Sequence, residues 1–266
     1  MTKFLYFILV SIFFCSCSSY QKALKSDDVA VKYAEAEKKY DAKKYNKAIR
    51  LFEQMAPAFR GKPQSEKMFY MYAQAYYKTE QYYLAGYQFE SFVSSYPKSE
   101  KIEEASYLAA KSYSKLSPVY SLDQTDTNKA IGKLQDFIDT YPNSEYLPEA
   151  NATLKVLTDK LEKKAFEIAK QYNTIQDYKS AIVALDNFIA DYPGTIFRED
   201  ALFYKFDSTY QLAINSVPSK MQERLNNAKI AYANLMKVNV SAARKEKADA
   251  MLAQIDKNLQ QYSNIN

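Results

Sequence analysis

Three segments of this chain are close copies of one another, and they limit what it can fold into. They read Phe89-Glu90-Ser91-Phe92-Val93-Ser94-Ser95-Tyr96-Pro97, Leu134-Gln135-Asp136-Phe137-Ile138-Asp139-Thr140-Tyr141-Pro142 and Leu185-Asp186-Asn187-Phe188-Ile189-Ala190-Asp191-Tyr192-Pro193. Twelve residues before each proline stands an alanine: Ala85, Ala130 and Ala181. Four residues after each alanine stands Phe89, Leu134 or Leu185, and Ala48 with Phe52 repeats that offset. The steps between the alanines are 37, 45 and 51 residues. A small and a bulky residue at i and i+4 share one helix face. The small one lets a neighbouring helix approach, and the bulky one fills the space beside it. Proline cannot continue the hydrogen-bond ladder, so each helix must stop before Pro97, Pro142 or Pro193. Repetition on this length scale predicts helix pairs stacked in a row.

From Val29 onward apolar residues recur at three and four, with Lys and Glu on the other face. Asn-Gly and Asp-Gly hairpin dipeptides do not occur. Ser99, Ser144 and Thr195, each two residues after a proline, are N-cap candidates for the helices that follow. The acidic pairs Glu103-Glu104 and Glu199-Asp200 fall at predicted helix starts, where the helix dipole favours negative charge.

The N-terminus reads as a sorting signal. Lys3 precedes an almost unbroken apolar run, Phe4 to Phe14, followed by Cys15, Ser16 and Cys17. The run is too short to span a bilayer and has the layout of a secretory signal peptide. Apolar run, small residue, cysteine is the order of the bacterial lipoprotein box. Ser16 before Cys17 fits that box better than Phe14 before Cys15. The expected organisation is therefore a lipoprotein signal peptide at 1–16, a lipid-bearing Cys17 and a linker over 17–28. N-terminal helix pairs follow at 29–150, then C-terminal pairs with a capping helix at 151–261, and a tail at 262–266. An acyl chain on Cys17 would tether the protein without spanning the membrane.

Composition narrows the chemistry. The 266 residues include no His, no Trp, 4 Gly and 2 Cys, but 25 Tyr. Without histidine there is no imidazole base and no usual zinc site. Neither Gly-rich phosphate motif occurs. The net charge of +5 is too small to point to nucleic acid. No cofactor, no metal and no catalytic residue is expected. The lysine clusters Lys38-Lys39, Lys43-Lys44 and Lys163-Lys164 read as solvated helix faces, with an electrostatic docking patch as the alternative, and so do Arg244, Lys245 and Lys247.

The repeat pattern resembles the tetratricopeptide repeat (TPR) family. The second unit carries Ala73, Tyr76, Tyr82, Ala85, Phe89, Phe92 and Pro97. The fourth carries Ala169, Tyr172, Tyr178, Ala181, Leu185, Phe188 and Pro193. The first has Ala36, Tyr45, Ala48 and Phe52, and the third has Ala110, Tyr113, Ala130, Phe137 and Pro142. About eight extra residues lie between Leu116 and Asn128 in the third. A fifth pair is expected over Arg198 to Ile214 and Ser219 to Lys237, and a last helix over Ala242 to Gln261. The implied fold is all-α: a TPR-like αα-superhelix, or solenoid, whose first helices line a groove. Tyr33, Tyr70, Tyr77, Tyr107 and Tyr113 then have two readings. They pack the core, or they line that groove for an extended peptide.

With the lipobox, the whole chain resembles the BamD family of outer-membrane assembly lipoproteins. The residues that carry this are Tyr33-Ala34-x-Ala36 with Tyr45 and Ala48-Ile49, the Ala73 to Tyr77 helix, the Tyr-Pro endings and Arg198-x-Asp200-Ala201-Leu202. The resemblance implies a non-enzymatic lipoprotein on the periplasmic face of the outer membrane. It implies two partners: the barrel protein BamA with its periplasmic repeat domains, docked by the C-terminal half, and unfolded outer-membrane protein clients, taken by the N-terminal half. An arginine that supports the BamA contact in that family aligns with Ala184 here. The alternative is a TPR scaffold lipoprotein that organises cell-wall or division enzymes. A glycan-capture lipoprotein would favour tryptophan platforms, and the repeats leave little chain for a wall-cleaving enzyme domain.

Overall fold

The computed structural model describes residues 18–263 apart from 60–61 and 63–64. The signal peptide expected at 1–16 and Cys17 lie outside the described residues. Among the described residues the protein is helical with no strand. The helices are α1 (Ser18–Lys25), α2 (Val29–Asp41), α3 (Tyr45–Phe59), α4 (Glu66–Lys78), α5 (Tyr82–Ser95), α6 (Ile102–Ser114), α7 (Thr125–Thr140), α8 (Leu147–Thr174), α9 (Tyr178–Asp191), α10 (Arg198–Ile214), α11 (Pro218–Leu235) and α12 (Ala242–Ser263). The first unit comprises the chain through Pro118 together with Gln124–Leu154. The second comprises Val119–Asp123 and Lys155 onward.

The repeat positions form the core. In the second helix of each pair, Ala48, Ala85, Ala130, Ala181 and Ala228 are all fully buried. Phe52, Phe89, Leu134 and Leu185, one turn on, are equally buried. Met55, Phe92, Phe137, Phe188 and Leu235 follow at no more than 3% exposure, so one continuous stripe of each helix is removed from water. In the first helices Ala36, Ala73 and Ala110 are buried against these stripes, and Tyr76 with them. A Phe or Leu so buried contributes about 1.5–3 kcal/mol.

The Tyr-Pro endings work as the spacing predicts. Helices α5, α7 and α9 stop at Ser95, Thr140 and Asp191, two residues before the proline. The intervening Tyr96, Tyr141 and Tyr192 leave helical geometry at φ −128°, −124° and −124°. Each tyrosine N–H still donates to the carbonyl of Phe92, Phe137 or Phe188. Each ring returns to that same phenylalanine at 5.2, 5.4 and 5.2 Å. The tyrosine is thus cap and packing residue at once. Within pairs, the turn is made by Lys43, Glu80 or Gln176 at positive φ of 56°, 59° and 64°, two residues before α3, α5 and α9.

Several boundaries differ from the sequence expectation. The 17–28 linker contains α1, whose Ala23 is fully buried in the first core and whose Ser19 donates to Glu35 at 3.1 Å. Tyr20, Ala23 and Leu24, at i, i+3 and i+4, give this short segment an apolar face. The division at 150/151 falls inside α8, one uninterrupted helix of 28 residues. The C-terminal helix runs into the expected tail, to Ser263. Ser99, Ser144 and Thr195 are not N-caps. Their side-chain oxygens accept the N–H of Lys101, Tyr146 and Phe197 in turns that precede the helix.

Candidate functional site

Three tyrosines stand at equal intervals on the first helices of the first three pairs: Tyr33 on α2, Tyr70 on α4 and Tyr107 on α6, each 37 residues from the next. One turn on from each stands Glu37, Gln74 or Lys111. These side chains bond both along and between the helices. Tyr33 donates to Glu37 at 3.2 Å, and Lys67 of α4 reaches the same carboxylate at 2.6 Å. Tyr40 donates to Gln74 at 2.8 Å, and Gln74 donates in turn to the Tyr70 oxygen at 2.8 Å. Lys101 pairs with Glu104 at 3.1 Å and lies over the Tyr70 ring. Lys111 pairs with Glu149 at 2.6 Å and lies over Tyr107.

Burial keeps these phenols neutral. It raises Tyr40 to about 12, helped by Tyr45 and Asp41. It raises Tyr33, Tyr70, Tyr77 and Tyr107 as well, with the adjacent carboxylates adding to the effect on each. The hydrogen bond to Glu37 raises Lys67, and the one to Glu104 raises Lys101, so both stay cationic. Glu149 is held below the usual range by the Lys111 hydrogen bond first and by Tyr107 second. The face therefore offers neutral hydroxyls, a carboxamide and paired charges at any ordinary pH. Such a surface can meet the backbone and terminal carboxylate of an extended peptide.

The five tyrosines named as groove candidates divide. Tyr33, Tyr70 and Tyr77 are half-buried, with their rings packed on the first core and one edge at the surface. Tyr107 and Tyr113 are only 3% exposed and are core residues rather than lining. Tyr107 is sandwiched against Phe137 and stacked on Tyr146, whose rings are 4.7 Å apart. Tyr113 packs over Gly86, where an added Cβ would come within 2.9–3.1 Å of three ring atoms, and its hydroxyl donates to Glu90.

Sequence reading missed a clasp that repeats along the chain. Ser99 donates to Glu66 at 2.5 Å, Ser144 to Glu103 at 2.5 Å, and Ser241 to Glu199 at 2.9 Å. In each case an acid in the first turn of one first-helix receives a hydroxyl from just before the next. The second unit adds Arg244, which pairs with Glu199 at 3.1 Å and with Asp200. The acidic pairs thus join successive repeats as well as capping helix dipoles. Lysines read as solvated also have partners. Lys39 pairs with Glu35 in a half-buried site. Lys163 sits 4.4 Å over Tyr120 and Lys164 donates to the Leu122 carbonyl, which holds the extra segment of the third pair against α8. Lys245 pairs with Asp249.

In the second unit, Tyr120 and Ser121 face Lys164, Ile168, Tyr172 and Ile175 across an open cleft of about 640 Å³. Ala184, the position of the family's docking arginine, is half-buried beside Phe166, Leu185 and Phe188. Among the described residues no cluster of three metal-ligating side chains occurs, and no helix is long and apolar enough to cross a membrane.

The family model described as "YfiO: Outer membrane lipoprotein" matches residues 25–225. The chain belongs to the YfiO family of outer membrane lipoproteins. The match runs from the last residue of α1 into α11, so both units carry the YfiO pattern. Among solved structures, this YfiO-family chain is similar to the TPR2AB-domain:pHSP90 complex of yeast Sti1, at 15% identity over 86% of this chain and 98% of that one, with a TM-score of 0.38. It is also similar to a kinesin-light-chain-type protein of Podosopora anserina with nearly identical TPR-like repeats, at 16% identity over 82% and 99% of the two chains, with a TM-score of 0.32. The helix pairs described above thus belong to a chain of the outer membrane lipoprotein family.

Proposed function

We propose that this chain is the non-enzymatic BamD-type lipoprotein of the outer-membrane β-barrel assembly machinery. It would be anchored on the periplasmic face by a lipid on Cys17. The first-helix face of the first unit takes extended segments of unfolded outer-membrane proteins, and the second unit docks the barrel protein BamA. The observation that carries the reading is the hydroxyl-rich face of Tyr33, Tyr70, Gln74 and Tyr77 in a member of an outer-membrane lipoprotein family. Half-buried tyrosines give an extended chain both ring surface and hydrogen bonds at low entropic cost. A lipid anchor would confine chain and barrel protein to one surface and raise their encounter frequency.

Crosslinking at native expression level, followed by pull-down from membranes, tests the partner. Recovery of a large barrel protein bearing periplasmic repeat domains is expected. Recovery of wall-cleaving enzymes alone would replace this reading with that of a TPR scaffold. Cys17→Ser should release the chain from the membrane fraction; retention of processed protein there would exclude Cys17 as the lipid site.

A further inference from the structure

The second helices carry an acid five residues after the repeat alanine: Glu53 on α3, Glu90 on α5 and Asp186 on α9. Each lines a cleft between successive second helices, floored by the first helix between them. Two of these acids are neutralised from within. Glu90 accepts from Tyr113 at 2.8 Å and pairs with Lys133 of α7 at 2.7 Å. Asp186 pairs with Lys205 of α10. Glu53 accepts from Tyr76 at 2.8 Å, as Glu90 does from Tyr113. No cation among the described residues pairs with it. The residue in the place of Lys133, three after the repeat alanine, is Gln88.

The Glu53 cleft is also roomy and partly apolar. It holds about 410 Å³, bounded by Phe69, Phe92 and Tyr96 and edged by Tyr72 and Gln88. Tyr72 and Tyr76 share a hydrogen bond of 2.9 Å, which fixes the hydroxyl that orients Glu53. A carboxylate held in place at one end of an aromatic-floored cleft suits a long cationic side chain, whose stem covers the rings while its head meets the acid.

We propose that the Glu53 cleft is a docking site for an arginine or lysine that a partner protein presents from an extended segment with apolar neighbours. The partner's cation takes the place that Lys133 fills one repeat later. The site lies on the second-helix side of the first unit, so the inference goes beyond the client-binding face and does not depend on it.

The test titrates the full-length mature chain with acetyl-Leu-Arg-Leu-amide and with the same peptide carrying citrulline, which keeps the shape and removes the charge. Amide shifts around Phe69, Phe92 and Tyr96 are read by NMR. The arginine peptide is expected to bind there about tenfold more tightly than the citrulline one, and Glu53→Gln should remove that difference. Gln88→Lys should block the cleft with an internal cation, abolish peptide binding and raise the melting temperature. Arginine binding equal to citrulline binding, full binding by E53Q, or undiminished binding by Q88K would each overturn the proposal. So would tighter binding after substitution of Arg60, the residue next in sequence after α3 (Arg60→Gln), because the cleft's cation would then be the chain's own.

Discussion

Tyr107 in the first unit and Phe166 in the second occupy the same place in a repeated aromatic stack. Tyr107 packs on Phe137 and stacks on Tyr146 at an interplanar angle of 10°. Phe166 packs on Phe188 and stacks on Phe197 at 6°. A lysine one turn on, Lys111 or Lys170, covers each ring. The packing is one solution used twice, and the difference is oxygen. The first unit places phenols where the second has phenyl rings, and the hydroxyls of Tyr33 and Tyr70 are hydrogen-bonded to Glu37 and Gln74. Hydrophobic packing needs only the rings; Tyr33 and Tyr70 are half-buried, whereas Tyr107 is buried, hydroxyl included. The contrast bears on the proposed division of labour, in which the first unit is the peptide-binding half; in the second unit Arg244 is engaged internally with Glu199 and Asp200.

The contrast can be broken most severely in the cores. Phe89→Ala and Phe206→Ala each empty a fully buried site and should cost about 3–5 kcal/mol. Hydrogen exchange should lose protection in α4–α6 for F89A and in α10–α12 for F206A. Equal loss in both units from either change would dissolve the distinction between them.

A smaller effect probes the close approach of Tyr113. Gly86→Ala pushes a methyl into that ring and should destabilise by about 1–3 kcal/mol. Gly132→Ala, in the same unit, meets nothing within 4 Å and should stabilise α7 by about 0.5–1 kcal/mol. Chemical denaturation reads both signs. A Gly86→Ala protein as stable as wild type would mean that the Tyr113 ring yields easily.

The mildest test lies in acid. Glu199 is held below the ordinary carboxylate range, first by the Ser241 N–H and then by its hydroxyl and Arg244. A depressed folded-state pKa gives stability that is full above the unfolded value, about 4.3, and is lost as pH falls through the folded value. Thermal melts of the wild type should therefore weaken below about pH 4.3, and Glu199→Gln should flatten that slope. An unchanged slope in E199Q would remove the clasp from the account of how the second unit is held.

The repeat was legible because its marks are local. Ala-x-x-x-Phe and Tyr-Pro report helix contact and helix end without knowledge of any partner. The expected fifth pair and final helix match α10, α11 and α12 within two residues for the same reason. The site was only half legible. Tyr33, Tyr70 and Tyr107 repeat in sequence, but their burial depends on which neighbours arrive, and Tyr146 covers Tyr107 from 39 residues away. The Ser–Glu clasps span 33 to 42 residues, and a hydroxyl near a proline reads as an N-cap until its distant carboxylate is in view. The continuity of α8 escaped because the expected division followed the repeat count, although after Pro148, at its second position, the helix carries no proline or glycine that would break it.

Lys43, Glu80 and Gln176 turn three corners in a backbone region where glycine would sit with less strain. Long side chains there narrow the wandering of the denatured polypeptide, so less disorder is surrendered when each hairpin of helices closes. A protein with four glycines in 266 residues thereby accepts tension in its folded bends, offset in part by a stiffer denatured ensemble.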